Sequence, residues 1–360
     1  MKNKTVGKIE RLCEKVYKQI LRKSKPGIAV PIRNLGNVSY DPKEGYFRLS
    51  EKEKTRTLTV GTIRTFAQTL KMMSMSKELL EANDVATKRE AYYVSKNWGD
   101  ARFLSQPESD AVMDDVEAAM LVNREQIGFV PEEKGGDVAG KLVVIDRDSK
   151  GKEIRIDCTR FGSGAYSIPS SVEDLKFKTN ADFILAIETA GMFQRLVKHD
   201  YWDSANCILI SLGGVPTRAC RRFIRRLSDC IDIPVYVFTD GDPYGYANIY
   251  RTLKVGSGNA AHINEYFCVP RARFIGVTPQ DIIDYKLPTH PLKDVDIKRI
   301  QDAIKNDPFV KHFKEWQKAL EQMVNMKARA EQQALAAWGL NYVTTTYLPQ
   351  KLKNVKTWLP

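Results

Sequence analysis

No run in this 360-residue chain approaches the ~18 apolar residues that a membrane span needs. The first twenty residues, MKNKTVGKIERLCEKVYKQI, are charged throughout and have no apolar signal core. These absences argue against a membrane or secreted protein and lead us to expect one of the cytosol or nucleus. The six cysteines, Cys13, Cys158, Cys207, Cys220, Cys230 and Cys268, form no CxxC pair. In a reducing compartment they read as small buried hydrophobes, neither disulfides nor a zinc site. The four histidines, His199, His262, His290 and His312, are equally isolated, so histidine chemistry has almost no material. There is no internal repeat and no low-complexity tract. Acidic charge is in the minority: 44 Asp and Glu against 56 Lys and Arg, a net charge of +12. That excess points to a polyanionic partner, either nucleic acid or an anionic membrane surface. With 43 % hydrophobic and 9 % aromatic residues, cores form readily, and the length fits two domains.

Val6, Ile9, Cys13, Val16, Tyr17, Ile20 and Leu21 recur at three- and four-residue steps, which predicts an amphipathic helix ended by Pro26-Gly27. It packs either on its own domain or on a partner protein. Residues 30 to 60 mix short β-like runs with turns. Ile63 to Leu80 is helical in pattern, a second helix begins near Thr87, and a third covers Glu108 to Leu121. Thr87 with Glu90 spells a capping box. Gly128, Pro131 and Gly135-Gly136 then punctuate the chain into the β-like run Lys141 to Ile145. Three helices and a hairpin is the order of a winged helix-turn-helix, which presents one helix to DNA. Farther on, Phe183 to Ile187, Cys207 to Ser211, Val235 to Thr239 and Arg273 to Val277 are short apolar runs. Helical segments separate them, predicting a parallel sheet covered on both faces. Residues 295 to 338 read as long charged helices packed outside that sheet.

Glu188 directly follows the run FILAI, and Asp240 and Asp242 directly follow VYVFT. All three carboxylates therefore sit at the C-terminal ends of predicted parallel strands, the edge where open α/β sheets build sites. Neighbouring strands would bring them close, where like charges repel unless a cation holds them. Few hard oxygen ligands with room for water and phosphate suit Mg²⁺. DGDP alone also reads as a turn; its pairing with Glu188 in one domain is the stronger signal.

Arg89 and Tyr93 are four apart in KREAYY and share a helix face. A phenol attacks phosphorus only when aimed in line and when a cation meets its developing charge. A guanidinium does that and grips a phosphate oxygen. By itself, a Tyr-Tyr pair still reads as packing.

Four blocks in order, KREAYY, FILAIETAGMF, GGVPTRACRRFIRRL and DGDPYG, resemble the A subunit of archaeal topoisomerase VI, kin of the meiotic double-strand-break proteins. Ala91 departs slightly, since the family usually has a larger aliphatic residue there. The resemblance runs from about residue 60 to the end. It implies an α/β fold with an α+β N-terminal part: a winged-helix (CAP-like) domain followed by a Rossmann-like Toprim domain. It implies Tyr93, not Tyr92, as nucleophile, with Glu188, Asp240 and Asp242 holding Mg²⁺. It further implies an A-subunit homodimer with a channel for double-stranded DNA, a separate ATPase B subunit, and two copies of each in the holoenzyme. One protomer's tyrosine would then work with the other's metal site. The reaction implied is ATP-dependent passage of one duplex through a break with 5′-phosphotyrosyl links, in the cytoplasm at the nucleoid. The competing readings are a break maker of the meiotic type, a Toprim nuclease without resealing, and a non-catalytic DNA-binding protein.

Gly135 to Leu142 almost spells a phosphate-binding P-loop, but Leu142 replaces the Mg²⁺-holding Ser or Thr and a β-like run follows. It reads as the wing turn. Arg221, Arg222, Arg225 and Arg226 form a dense basic helix face, and these, with Lys88, are the expected DNA-backbone contacts. The expected layout is residues 1–62 as an N-terminal helix and extension touching the B subunit, 63–145 as the winged helix, 146–178 as a linker, and 179–360 as the Toprim domain.

Overall fold

The N-terminal apolar stripe forms α1 (Lys4–Leu21), with Val6, Ile9 and Val16 buried. The computed structural model describes residues 4–130 and 135–360. Pro131, expected to break the chain, lies outside them. The chain divides into two compact units. The first takes in Met1–Val38, Arg48–Glu132 and Gly258–Ile263; the second takes in Ser39–Phe47, Glu133–Ser257 and Asn264–Pro360.

In the first unit, β1 (Gly27–Pro31) pairs antiparallel with β2 (Glu53–Thr57). Three helices follow: α2 (Ile63–Ala82), α3 (Lys88–Val94) and α4 (Gln106–Met120). Ile9, Val16, Ile28 and Val30 share one core with Phe66, Met72, Ala91, Phe103, Val112 and Val116. The segment read as an extension is therefore part of this core, and α1 packs on its own unit. Tyr17, Ile20 and Leu21 at its end stay exposed. Polar clamps add to the apolar packing: Arg33 reaches Asp115 of α4 at 2.6 Å and Arg56 pairs with the same carboxylate.

The second unit is built on a six-stranded sheet. Its strands, in chain order, are β3 (Asp137–Gly140), then, past β4 (Leu142–Arg147) and β5 (Glu153–Asp157), β6 (Tyr166–Ser167). After β7 (Lys176–Thr179) come β8 (Phe183–Ile187) and β9 (Cys207–Ser211) with α5 (Ala190–Lys198) between them. Then follow α6 (Arg218–Ile231), β10 (Val235–Phe238) and β11 (Arg273–Gly276). The order across the sheet is β6-β3-β9-β8-β10-β11. The last four are parallel, with β3 and β6 antiparallel at one edge. Every residue of β8 and β9 is buried, as a sheet covered on both faces requires.

Two expectations need correction here. Asp137 to Ile145 is not a wing on the first unit: β3 hydrogen-bonds to β9 in the large sheet. Nor is 146–178 a linker, because β4, β5 and β7 make a separate three-stranded antiparallel sheet. The strand β5 carries little apolar pattern because it is an edge strand and mostly exposed. The glycines of the P-loop look-alike serve close packing: a Cβ on Gly136 would collide with the Ser211 carbonyl oxygen, and one on Gly140 would lie 2.6 Å from that of Cys207.

The region 295 to 338 also differs from a purely outer helical layer. Helices Asp294–Asn306 and Lys314–Met326 form, but Ala328–Arg329 is a short strand paired with His290–Pro291. The chain then runs to a bridge between Ala330 and Gly241, at the end of the parallel strands.

Candidate active site

On the first unit, the capping box forms in full. The Glu90 N–H donates to Thr87 Oγ1 at 3.1 Å, and the Thr87 N–H donates to Glu90 Oε2 at 2.7 Å. The Thr87 N–H, with the Thr87 hydroxyl beside it, holds the Glu90 carboxyl below its ordinary range. The two bonds also fix the start of α3, which buries Ala91 completely and leaves Tyr93 57 % exposed. A larger aliphatic at Ala91 would have no room without repacking. Arg89, also exposed, joins Lys88, Tyr92, Tyr93, Gln106 and Asp110 around a cavity of about 350 Å³.

The two tyrosines differ in their surroundings. Tyr92 directs its hydroxyl toward the Leu104 carbonyl at 3.5 Å and carries the Lys96 ammonium 3.9 Å from its ring centre. Tyr93 packs edge-on against Tyr92, with 5.4 Å between ring centroids. Among the described residues its hydroxyl has no partner. The Lys88 ammonium pairs with Asp110 at 2.7 Å, and Gln106 braces the same carboxylate at 2.9 Å. Lys96 went unnoticed in the sequence, where a lone lysine two turns on carries no signal.

On the second unit, β8 is flanked by β9 and β10. The chain goes from β8 to β9 on one side and returns to β10 on the other, so the strand order reverses between β8 and β10. That is the switch point where such sheets open a crevice. Glu188 follows β8 and Asp240 follows β10, so both acids stand at its rim. The Asp240 N–H donates to Glu188 Oε2 at 2.9 Å. Burial first, then the neighbouring Asp240 and Asp242, push the Glu188 carboxyl up to about 8. Burial, with Asp242 and Glu331 beside it, pushes Asp240 up to about 6. Asp242 accepts from the Gly245 N–H at 2.7 Å and from Arg329 Nη1 at 3.3 Å. Gly241, between the aspartates, is needed for close approach and not for an unusual turn. A Cβ there would meet the Val277 carbonyl oxygen at 3.0 Å and that of Ala330 at 3.2 Å.

The segment that fixes these acids went unseen in the sequence. The Gln332 N–H donates to Asp240 Oδ1 at 2.8 Å, its side chain donates to the Phe238 carbonyl at 3.0 Å, and Thr189 donates to its Oε1 at 3.0 Å. Arg329 and Gln332 lie far along the chain from the acids, in a stretch whose composition resembles any charged helix.

Three carboxylates gathered at one sheet edge are the donor chemistry a hard divalent cation accepts. As placed, no three acid, histidine or cysteine groups among the described residues stand together as a ready metal cage. Each carboxylate gives one oxygen to a backbone N–H instead. The donor set fits Mg²⁺.

The arginines expected at DNA also have partners within the protein. Arg222 grips Glu173 through two nitrogens at 2.7 and 2.8 Å and donates to the Tyr266 carbonyl. Arg225 pairs with Asp229 at 2.5 Å and donates to the Cys268 carbonyl. Arg226 caps the carbonyls of Val172 and Leu175. Arg221 is only 6 % exposed, and burial holds its guanidinium below the usual range. The guanidiniums of Arg222, Arg225 and Arg226 staple α6 to the segments around it.

Comparison with known proteins agrees with this architecture. Residues 64–129 match the family described as "Type IIB DNA topoisomerase", and 132–181 match "All-beta domain in DNA topoisomerase VI alpha subunit". Residues 183–352 match the Toprim domain shared by the topoisomerase 6 A subunits and Spo11. The second match covers the three-stranded sheet that was read as a linker. The type 2 DNA topoisomerase 6 A subunit of Methanocaldococcus jannaschii is 58 % identical over 98 % of this chain and 95 % of its own length. That of Halobacterium salinarum is 38 % identical over 96 % and 94 %, and that of Methanothermobacter thermautotrophicus 35 % over 98 % of both. No helix in the described residues is long and apolar enough to cross a membrane. The chain belongs to the family of type 2 DNA topoisomerase 6 A subunits, the DNA-cleaving subunits of the type IIB enzymes.

Proposed function

We propose that Tyr93 is the nucleophile of this protein and that Glu188, Asp240 and Asp242 form its Mg²⁺ site. The observation that carries the reading is the contrast between the two tyrosines: Tyr92 leans toward the Leu104 carbonyl under the Lys96 ammonium, while Tyr93 is exposed beside Arg89 at an open cavity. The Tyr93 oxygen bonds to phosphorus and loses its proton. The bond from phosphorus to the 3′ oxygen breaks, and that oxygen leaves as a hydroxyl. The phosphotyrosyl ester keeps the energy of the backbone bond, so reversal reseals the strand without a further energy source. Arg89 holds a non-bridging oxygen and meets the charge that develops there. When bound, Mg²⁺ supplies positive charge to the phosphate oxygens. The acids fix its place, and Gln332 fixes Asp240.

The same reading makes α2, α3 and α4 the helical part of a winged-helix (CAP-like) domain offering α3 to double-stranded DNA. It makes the second unit, from β8 onward, the Toprim domain. An A-subunit homodimer with two ATPase B subunits completes the enzyme, and duplex passage depends on their ATP. The exposed Tyr17, Ile20 and Leu21 are the surface we assign to the B subunit. The site of action is the nucleoid in the cytoplasm. The test mixes the chain with its ATPase partner, labelled duplex and Mg²⁺, then denatures. Protein linked to a 5′ end is expected, and it disappears in Tyr93→Phe. Free ends without linked protein favour a nuclease and sink the reading.

A further inference from the structure

Among the described residues, Asp242 is the one acid of the trio in an ion pair, and its cation is loosely placed. Arg329 Nη1 stands 3.3 Å from Asp242 Oδ2, longer than the ~2.7–2.9 Å of a well-made charge-assisted bond. Its Nε is buried without a hydrogen-bond partner among the described residues. That Nε lies 3.9 Å from Asp296 Oδ2, so a second carboxylate is within reach of the same guanidinium. Asp296 is itself fixed, accepting from the Lys293 N–H at 3.1 Å at the start of its helix. The backbone around Arg329 is fixed too. Arg329 pairs with His290 in the short ladder, and the next residue, Ala330, exchanges hydrogen bonds with Gly241 between the two aspartates. What remains adjustable is the guanidinium, poised between two acids.

We propose that Arg329 is a placeholder cation: it neutralises Asp242 until a divalent metal arrives and competes with that metal for the carboxylate. A positive charge resting on a ligand oxygen must be displaced before the metal takes it, and it opposes the metal's charge while it stays near. Arg329 stands beside Asp242, and the three acids form no ready metal cage among the described residues. Asp296 receives the guanidinium on its release. Arg329 is a positioning residue in this account, and the inference rests on the metal reading above.

The test titrates Mg²⁺ into the full chain and follows binding by calorimetry and by melting temperature, with no DNA and no cleavage involved. Wild type is compared with Arg329→Met, Arg329→Lys and Asp240→Asn. Arg329→Met is expected to bind Mg²⁺ about three- to tenfold more tightly than wild type, the size of one nearby charge removed. In EDTA it is expected to melt below wild type, because Asp242 has lost its counter-ion. Arg329→Lys keeps the charge and stays near wild type, and Asp240→Asn loses the response. Arg329→Gln carries the same comparison if the methionine variant fails to fold. Unchanged or weaker Mg²⁺ binding on removal of the guanidinium overturns the placeholder role and leaves a fixed brace. A wild-type chain with no Mg²⁺ response at all overturns the metal reading itself, a result distinct from the first.

Discussion

The main-chain N–H of Asp240 donates to the side chain of Glu188 at 2.9 Å, so two strand ends share one hydrogen bond at the rim of the sheet. The carboxyl that accepts it is raised to about 8. Without metal, its ionisation opposes the fold. Below the ordinary carboxyl range both folded and unfolded chains hold the proton, and there is no cost. Between that range and about 8 the unfolded chain is ionised while the folded one retains its proton. Stability therefore falls as pH rises through this window. Glu188→Gln keeps an acceptor for Asp240 and removes the charge. In EDTA it is expected to melt higher than wild type at about pH 8.5 and to match it near pH 5, while forming no covalent DNA complex. Parallel melting curves across pH for the two proteins would refute the account.

The tyrosine assignment makes a paired prediction. Tyr93→Phe should abolish the covalent protein–DNA complex, and Tyr92→Phe should keep most of it. Arg89→Ala should reduce complex formation by about 10²–10³-fold, the usual effect of losing one preorganised charge donor. Quantifying linked DNA on denaturing gels checks all three. A full complex in Tyr93→Phe would move the chemistry elsewhere.

The capping box links stability to the same site. Thr87→Ala removes the acceptor for the Glu90 N–H and should lower unfolding free energy by about 1 kcal/mol. Because α3 begins there, complex formation should fall as well, and Thr87→Ser should restore both. Chemical denaturation read by circular dichroism gives the first quantity. An alanine variant as stable as wild type would mean that packing of Ala91 alone sets the helix.

The arginines of α6 should behave as structural residues. Arg226→Ala removes donors from the Val172 and Leu175 carbonyls, and Arg222→Ala leaves Glu173 without its partner. Each should cost about 1–3 kcal/mol of stability, as for lost hydrogen bonds to a charged group. Duplex affinity per folded molecule should be unchanged at fixed salt. A weaker salt dependence of DNA binding in either variant would return these residues to the DNA interface.

Local chemistry was readable from the sequence. The Thr87–Glu90 capping box, the apolar stripe of α1, and three acids placed just past β-like runs all depend on residues near each other in the chain. Such features follow from backbone geometry and side-chain spacing, which sequence records directly. The order of helical and apolar segments likewise gave the parallel sheet, and the sheet's rim followed from it.

Tertiary structure decided what each exposed-looking group touches. A row of arginines on a helix has one sequence signature whether it faces phosphate or the carbonyls of Val172 and Cys268. The strand Asp137–Gly140 lies in the large sheet, where Gly140 and the preceding Gly136 permit close approach to β9, a distant stretch of chain that no local pattern names. Arg329 and Gln332 reach Asp242 and Asp240 across 87 and 92 residues. Periodicity assigns a residue to a face; only the folded chain assigns that face its neighbour, because buried hydrogen-bonding groups take partners by proximity in space.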